Sequence, residues 1–288
     1  MPFLQKDNTM TEERVDELTR NALAVTAPDA LFNKAWQFID WYFSPTVRGL
    51  ERLTDKPTLF VGNHALFGFD AWIVQMAVHH NTGRFLRGMG DRLFFESPVG
   101  DLMTPYGMVL GHPRTCAALM KDGADLLVFP GGSAESTKPE NQKYSLAWGE
   151  RYGFVRMAAQ NGYDITPFGL VGPDDCYEHL LEGKELLDTL PGRLLGKLGL
   201  TKGLREDVLP PIPLGLLSTP LPKPQPSFLG FGETIAVPDY RGKKVPKKVL
   251  SSVREQTAEQ INAQLKDMLL LRSQSTGNIS RWRRWLLN

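Results

Sequence analysis

Residues 58–80 read TLFVGNHALFGFDAWIVQMAVHH, and this stretch decides the fold. Residues 58–62 are a short apolar run suited to a buried strand, followed by Asn63-His64. Residues 69–80 have helical length and character. The same alternation recurs further along the chain. Residues 84–87, 126–129 (LLVF) and 165–171 (ITPFGLV) are apolar runs bounded by glycine, proline or polar clusters, and residues 115–121 and 147–161 read as helices between them. Strands alternating with helices predict an α/β domain with a central mixed, largely parallel sheet flanked by helices. A final helix over 248–272 carries Val249, Val253, Ile261, Leu265 and Met268 near helical spacing and is expected to pack back on that domain.

Composition removes several function classes. The chain has 288 residues, enough for a full core, with 33 basic and 32 acidic side chains and a net charge of +1. That balance disfavours a globally basic nucleic-acid binder, and no nucleic-acid partner is expected. It hides an asymmetry, since residues 241–288 carry 11 basic and three acidic side chains while the first 240 carry 22 and 29. No apolar run approaches the roughly 18 to 20 residues of a membrane-spanning helix. Cys116 and Cys176 cannot build a disulfide framework and lack zinc-ligand spacing with the five histidines, so no metal site is expected. The N-terminal MPFLQKDNTMTEER shows no basic region followed by an apolar stretch, and a cytoplasmic location is expected rather than a secreted one.

The residues with chemical potential fall after the strands, where α/β sheets concentrate function. His64 leaves the 58–62 strand with a side chain that titrates near neutrality, as a general base must. Asp70 can orient it by accepting a hydrogen bond from one ring nitrogen, provided the chain turns between them, and Gly68 permits such a turn. The competing reading makes His64 structural and Asp70 a helix cap. After the strand at 126–129 comes Pro130-Gly131-Gly132-Ser133-Ala134-Glu135, whose paired glycines let backbone amides approach a reacting oxygen.

In this order and spacing the segments resemble the glycerolipid acyltransferase superfamily. Asn63, His64 and Asp70 correspond to its Asn-His-x4-Asp type block, and Phe129 to Glu135 to its Phe-Pro-Glu-Gly or Phe-Pro-Gly-Gly block. Further similarity lies in Pro105-Tyr106-Gly107-Met108-Val109 before Arg114, Arg151-Tyr152-Gly153-Phe154, Ile165-Thr166-Pro167-Phe168 and Phe231-Gly232-Glu233-Thr234-Ile235, so it covers residues 55–272. The resemblance implies that His64 deprotonates an acceptor hydroxyl, that Asp70 orients His64, and that the hydroxyl attacks the thioester of acyl-CoA or acyl carrier protein with no cofactor. Asn63, Arg114, Phe129, Pro130, Gly131, Gly132 and Glu135 are then substrate-binding candidates, with Gly131 and Gly132 amides available to a tetrahedral oxyanion.

Departures from the pattern bear on the acceptor. Five residues separate His64 from Asp70 where four are commonest, and Gly131 and Ala134 replace the glutamate and arginine of Phe-Pro-Glu-Gly-Thr-Arg. Without that guanidinium a phosphate-bearing acceptor is less expected, unless Arg114 substitutes for it. The Pro-Gly-Gly-x-x-Glu form is similar instead to the diacylglycerol acyltransferase type-two and phytyl ester synthase branch, which acylates neutral alcohols. Glu135 then either binds the acceptor hydroxyl or closes the turn onto backbone. The alternatives are a lysophosphatidate acyltransferase, a hydrolase of acyl-CoA, and a non-catalytic lipid-binding protein.

Two stretches offer a route to a membrane surface. Residues 31–43, LFNKAWQFIDWYF, hold six of the 28 aromatics, with Phe32, Trp36, Ile39 and Phe43 at helical spacing and Ser44-Pro45 as the stop. Residues 281–287 repeat the aromatic character among arginines, at Trp282 and Trp285. The first stretch can be membrane face or core, and the second can be a membrane contact or a disordered basic end. The expected layout is an N-terminal helical segment at 1–54, the acyltransferase domain at 55–272 and a basic aromatic tail at 273–288, peripheral to the inner face of a membrane. A leucine-rich stretch at 186–205 leads into seven prolines between Pro210 and Pro226, expected as loop or edge structure.

Overall fold

The structure, a computed structural model, describes residues 10–181, 212–219, 221–275 and 281–287. The leucine-rich stretch at 186–205 lies outside the described residues. Two helices come first, α1 (Glu12–Ala24), capped by the Thr11 side chain, and α2 (Asp29–Phe43), then β1 (Thr46–Arg48). Strand β2 (Leu59–Gly62) and helix α3 (Phe69–Thr82) follow, joined by a 3-10 turn over Leu66–Gly68. Next come β3 (Leu86–Gly90), the short α4 (Arg92–Phe95) and α5 (Pro98–Met103), β4 (Met108–Leu110), α6 (Pro113–Lys121) and β5 (Asp125–Val128). Helix α7 (Gly132–Ser136), α8 (Gly153–Asn161) and β6 (Ile165–Val171) lead to a small antiparallel pair, β7 (Glu178–Leu181) with β8 (Ile212–Leu214). Strand β9 (Phe228–Phe231), the long α9 (Lys247–Ser275) and α10 (Arg281–Leu287) complete the order.

Seven strands form one sheet in the order β1-β9-β6-β2-β5-β3-β4. The five from β6 to β4 are mutually parallel, while β9 runs antiparallel to β6 and carries β1 parallel to itself. This is the mixed, largely parallel sheet that the alternation predicts. Strand β1 lies within residues 1–54 yet joins the sheet through Thr46–Phe228 and Arg48–Gly230 register pairs.

Side-chain alternation along the central strands feeds two cores. Leu59 and Val61 of β2, with Ile165 and Val171 of β6, pack under α6, α8 and α9, whereas Phe60, Phe168 and Leu170 pack under α2 and α3. Residues are fully buried along all of β6, which is why it reads as a continuous apolar run. The expected helix over 147–161 is confined to α8, because Gly149 adopts a left-handed conformation (φ 50) beside the buried Trp148 and breaks the run. The aromatic helix does end at Ser44, left-handed at φ 41, whose N–H returns to the Asp40 carbonyl. Its buried residues, Phe32, Ile39, Tyr42 and Phe43, face α3 and the sheet, while Phe38 and Trp41 are exposed, so α2 serves core and surface at once. Among the described residues no helix is long and apolar enough to cross a membrane.

Candidate active site

Strand β2 ends where its backbone ladder to β6 reaches the Gly62–Phe168 pair. Glycine is required there, since a Cβ on residue 62 would sit 2.2 Å from the Phe168 ring. The side chain of Asn63 continues the pairing in place of backbone, with Nδ2 donating to the Leu170 carbonyl at 2.9 Å and Oδ1 accepting from the Leu170 N–H at 2.8 Å. Asn63, a substrate-binding candidate from the sequence, is buried and engaged in this clamp. The main chain then turns out of the sheet at His64.

Gly68, left-handed at φ 71, ends the 3-10 turn and starts α3, which brings Asp70 back under the histidine. Asp70 Oδ2 lies 2.7 Å from His64 Nδ1 and also accepts the Ala65 N–H at 2.7 Å, while Oδ1 accepts from Ala71 at 2.9 Å. With the carboxylate ionised, Nδ1 carries the proton and Nε2 is the ring nitrogen able to take one up. The Phe129 ring stacks on the imidazole, centroids 4.3 Å apart and planes 11° from parallel. Burial alone would depress the His64 pKa. The charge and hydrogen bond of Asp70, with the charge of Glu135, outweigh burial and the opposing Lys138, so the net shift is upward.

The backbone of His64 is held from a different element. Its N–H donates to Glu135 Oε1 at 2.9 Å and its carbonyl accepts from Lys138 Nζ at 2.8 Å. Glu135 is fully buried and its second oxygen meets the Ala147 N–H at 3.4 Å, so of the two roles open to it in sequence it takes the one that ties backbone together. Burial pushes its carboxyl pKa up, against the His64 N–H and Lys138. Gly131 leaves room for it, since a Cβ there would fall 1.9 Å from Glu135 Oε2. The Pro130 and Gly131 carbonyls accept from Arg151 Nη1 at 3.1 and 2.6 Å. The Gly132 N–H, a candidate oxyanion donor, is bonded to the Phe129 carbonyl at 3.0 Å.

Arg114 is placed elsewhere. It opens α6, where the His112 side chain caps the helix, and its guanidinium pairs with Glu12 and Asp16 of α1. It borders a groove of about 690 Å³ between α6 and α8, lined among others by Met89, Ala117, Val128, Met157, Phe129 and Pro130. Phe129 thus lines the groove on one side and the His64 ring on the other. Among the described residues no group of three or more His, Cys, Asp or Glu side chains is arranged to hold a metal ion.

Sequence kinship agrees with this geometry. The acyltransferase family model matches residues 44–171. Over these residues the chain is similar to that family. Phytyl ester synthase 2, chloroplastic, of Arabidopsis thaliana is 33% identical over 150 residues, which are 48% of this chain and 21% of that protein. The "DGAT1/2-independent enzyme synthesizing storage lipids" of Homo sapiens is 28% identical over 123 residues, 42% of this chain and 38% of that protein. The chain therefore spans about a fifth of the first relative and well under half of the second. The solved 1-acyl-sn-glycerophosphate (LPA) acyltransferase PlsC of Thermotoga maritima aligns over 86% of this chain and 87% of its own, at 14% identity and a TM-score of 0.44.

Two residues beside the site, Lys138 and Arg151, are not indicated as such by the sequence. Lys138, three positions after Glu135, is buried and pairs with Asp174 at 3.0 Å, just beyond the matched segment. Asp174 follows the C-terminal end of β6, and that position alone is a signal for function in a parallel sheet.

The raised His64 pKa makes a testable pH profile for the domain. A base works unprotonated, so the acidic limb of kcat/KM is expected above the ordinary histidine value of about 6.5. Asp70→Asn removes the acid that raises the pKa and leaves burial, which lowers it, so the limb moves to lower pH as the rate falls. A limb unmoved by Asp70→Asn, measured over the full profile, rejects His64 as the titrating base. The same upward shift means that protonated His64 stabilises the fold below about pH 6.5, a contribution lost as pH rises through the folded-state pKa.

Proposed function

We propose that this chain is an O-acyltransferase that moves a fatty acyl group from acyl-CoA, or acyl carrier protein, to the hydroxyl of a glycerolipid or other neutral lipid alcohol. The observation that carries the reading is the His64–Asp70 hydrogen bond of 2.7 Å at the end of a central parallel strand. The acceptor hydroxyl gives its proton to His64 Nε2 as its oxygen attacks the thioester carbonyl carbon. Collapse of the tetrahedral intermediate breaks the carbon–sulfur bond, and the imidazolium returns the proton to the thiolate, leaving an ester and a free thiol. Every proton is accounted for within the dyad and the two substrates, so the step calls for no metal or redox group.

A neutral acceptor is supported by the pairing of Arg114 with Glu12 and Asp16, which commits the guanidinium to carboxylates. The name of the Arabidopsis relative, phytyl ester synthase, points the same way. The groove lined in part by Phe129 is suited to the thioester-bearing arm of the donor, with Arg156 of α8 among the polar residues lining it. The protein meets its acceptor at a membrane surface, on the inner face, through residues 31–43 and 281–287.

Purified chain, radiolabelled acyl-CoA and a panel of long-chain alcohol, diacylglycerol and lysophosphatidate acceptors test the proposal. Labelled ester is expected with the neutral acceptors. Use of lysophosphatidate alone would replace the acceptor class, and labelled fatty acid without ester under every condition would make the protein a hydrolase.

A further inference from the structure

The two aromatic stretches, some 240 positions apart in sequence, meet in space. Trp282 of α10 stacks on Trp41 of α2, centroids 5.2 Å apart and planes 16° from parallel. Between them Arg283, only 6% exposed, donates through Nη2 to the carbonyls of Trp41 (2.7 Å) and Tyr42 (3.3 Å) and to Ser44 Oγ (2.7 Å). Carbonyls in the last turn of a helix have no partner within it, and a cation placed there also meets the negative end of the helix dipole. Arg283 therefore finishes α2 from the far end of the chain. Residues 281–287 are a docked helix here, and the disordered basic end weighed from sequence is set aside for them.

Around this joint the exposed side chains are aromatic and apolar. Trp285 is 72% exposed, Trp41 58% and Phe38 54%, and Leu217, 71% exposed, sits in the Leu216–Ser218 turn that packs against α10. Phe38 is 6.0 Å from Trp41 and stacks on Tyr42 at 5.4 Å, so the cluster is continuous across α2. Helix α10, RWRRWLL, holds three arginines and no acid, whereas α2 holds Asp29, Lys34 and Asp40; the positive charge comes from the C-terminal helix. Exposed tryptophans at a helix whose sequence carries three arginines and no acid fit the boundary between anionic headgroups and acyl chains.

We infer that α2 and α10 form a single docking face for an anionic lipid surface, assembled only while Arg283 holds the two helices together. The choice of a lipid surface as occupant rests on the acyltransfer reading above.

Vesicle sedimentation of the full chain tests this, with phosphatidylcholine alone and phosphatidylcholine mixed with phosphatidylglycerol. Wild type is expected to bind the anionic vesicles more tightly, and Trp285→Ser to bind them about ten-fold more weakly. Arg283→Lys keeps the charge, but the shorter side chain does not carry its nitrogen to the place where Nη2 meets all three acceptors, so it too is expected to lose about ten-fold, together with the near-UV signal of the Trp41–Trp282 stack. Wild-type-like binding by Arg283→Lys overturns the joint, and binding by wild type that ignores anionic lipid overturns the face. If Arg283→Lys does not fold, Ser44→Ala removes one acceptor and carries the same test. Acyl transfer to a detergent-dispersed alcohol is read in parallel and is expected to survive these changes. Its absence from wild type alongside the predicted order of vesicle binding would reject the acyltransfer reading and support the face.

Discussion

His64→Ala is expected to lower kcat/KM for acyl transfer by about 100- to 10,000-fold, equivalent to roughly 3 to 5 kcal/mol of barrier. On the proposed reading, in which the imidazole acts on the proton of the attacking hydroxyl, the loss should appear in kcat. The variant should remain folded. The backbone N–H and carbonyl of residue 64 are held by Glu135 and Lys138, and those two bonds do not depend on the side chain. What disappears is the stack on Phe129 and one of the acceptances of Asp70 Oδ2, which still receives the Ala65 N–H. Circular dichroism and a melting curve beside the kinetics separate the two effects. A folded His64→Ala protein that retains wild-type kcat/KM removes the histidine from the reaction.

Lys138→Met is expected to be the most destabilising single change near the site. Its ammonium is buried between the His64 carbonyl at 2.8 Å and Asp174 at 3.0 Å. Methionine fills similar volume but leaves the buried Asp174 carboxylate without its cation, and breaking such a pair costs about 3 to 5 kcal/mol. The Asp174 N–H contact from Tyr144 at 2.7 Å remains, so the carboxylate is not wholly unpartnered. Burial already pushes the Asp174 pKa up with Lys138 opposing it, and removing the lysine lets it rise further. A carboxyl with a raised folded-state pKa favours the native state as it takes up a proton, so the defect should shrink on acidification. Melting temperature at neutral and mildly acidic pH reads this, as does partial recovery in the Lys138→Met, Asp174→Asn double variant. A loss below about 1 kcal/mol at neutral pH would show that the pair contributes little.

The sequence carries the fold in proportion to how much each strand buries. Strands β2, β5 and β6 are central, so their residues form unbroken apolar runs, and the expected ranges fall within a residue or two of the observed ones. Strands β1 and β4 have three residues each, too few for a period to register, and their places depend on partners β9 and β3 that are remote or weakly marked. Helix α1 went unread because its buried face is only Val15, Leu18 and Ala22 in an otherwise polar segment.

The candidate site follows the same logic. His64, Asp70 and Glu135 announce themselves by residue type next to strand ends and glycine turns. Their division of labour does not, because it depends on tertiary pairing. Nothing local indicates that Asn63 would reach across to Leu170, that Glu135 would face the backbone of residue 64, or that Lys138, in an ordinary polar stretch, would be the buried cation between them. Arg114 illustrates the converse, since the sequence offers it as a stand-in for a phosphate-gripping arginine and its partners are two carboxylates of α1.

The anchoring of residue 64 has a consequence for how this loop can vary. Asn63 pins the exit from the sheet through Leu170, and Glu135 and Lys138 fix the next peptide groups from beyond β5, so the position of the histidine is set by neighbours outside its own loop. The segment from Ala65 to Phe69, with Leu66 buried in the core, then returns Asp70 to Nδ1, and Gly68 makes the turn with a left-handed residue. Loop length and base placement are uncoupled. A His-to-Asp spacing of five rather than four is thus accommodated as slack in a tether whose far end is already fastened, which makes the count between the two residues a poor ruler for the dyad they form.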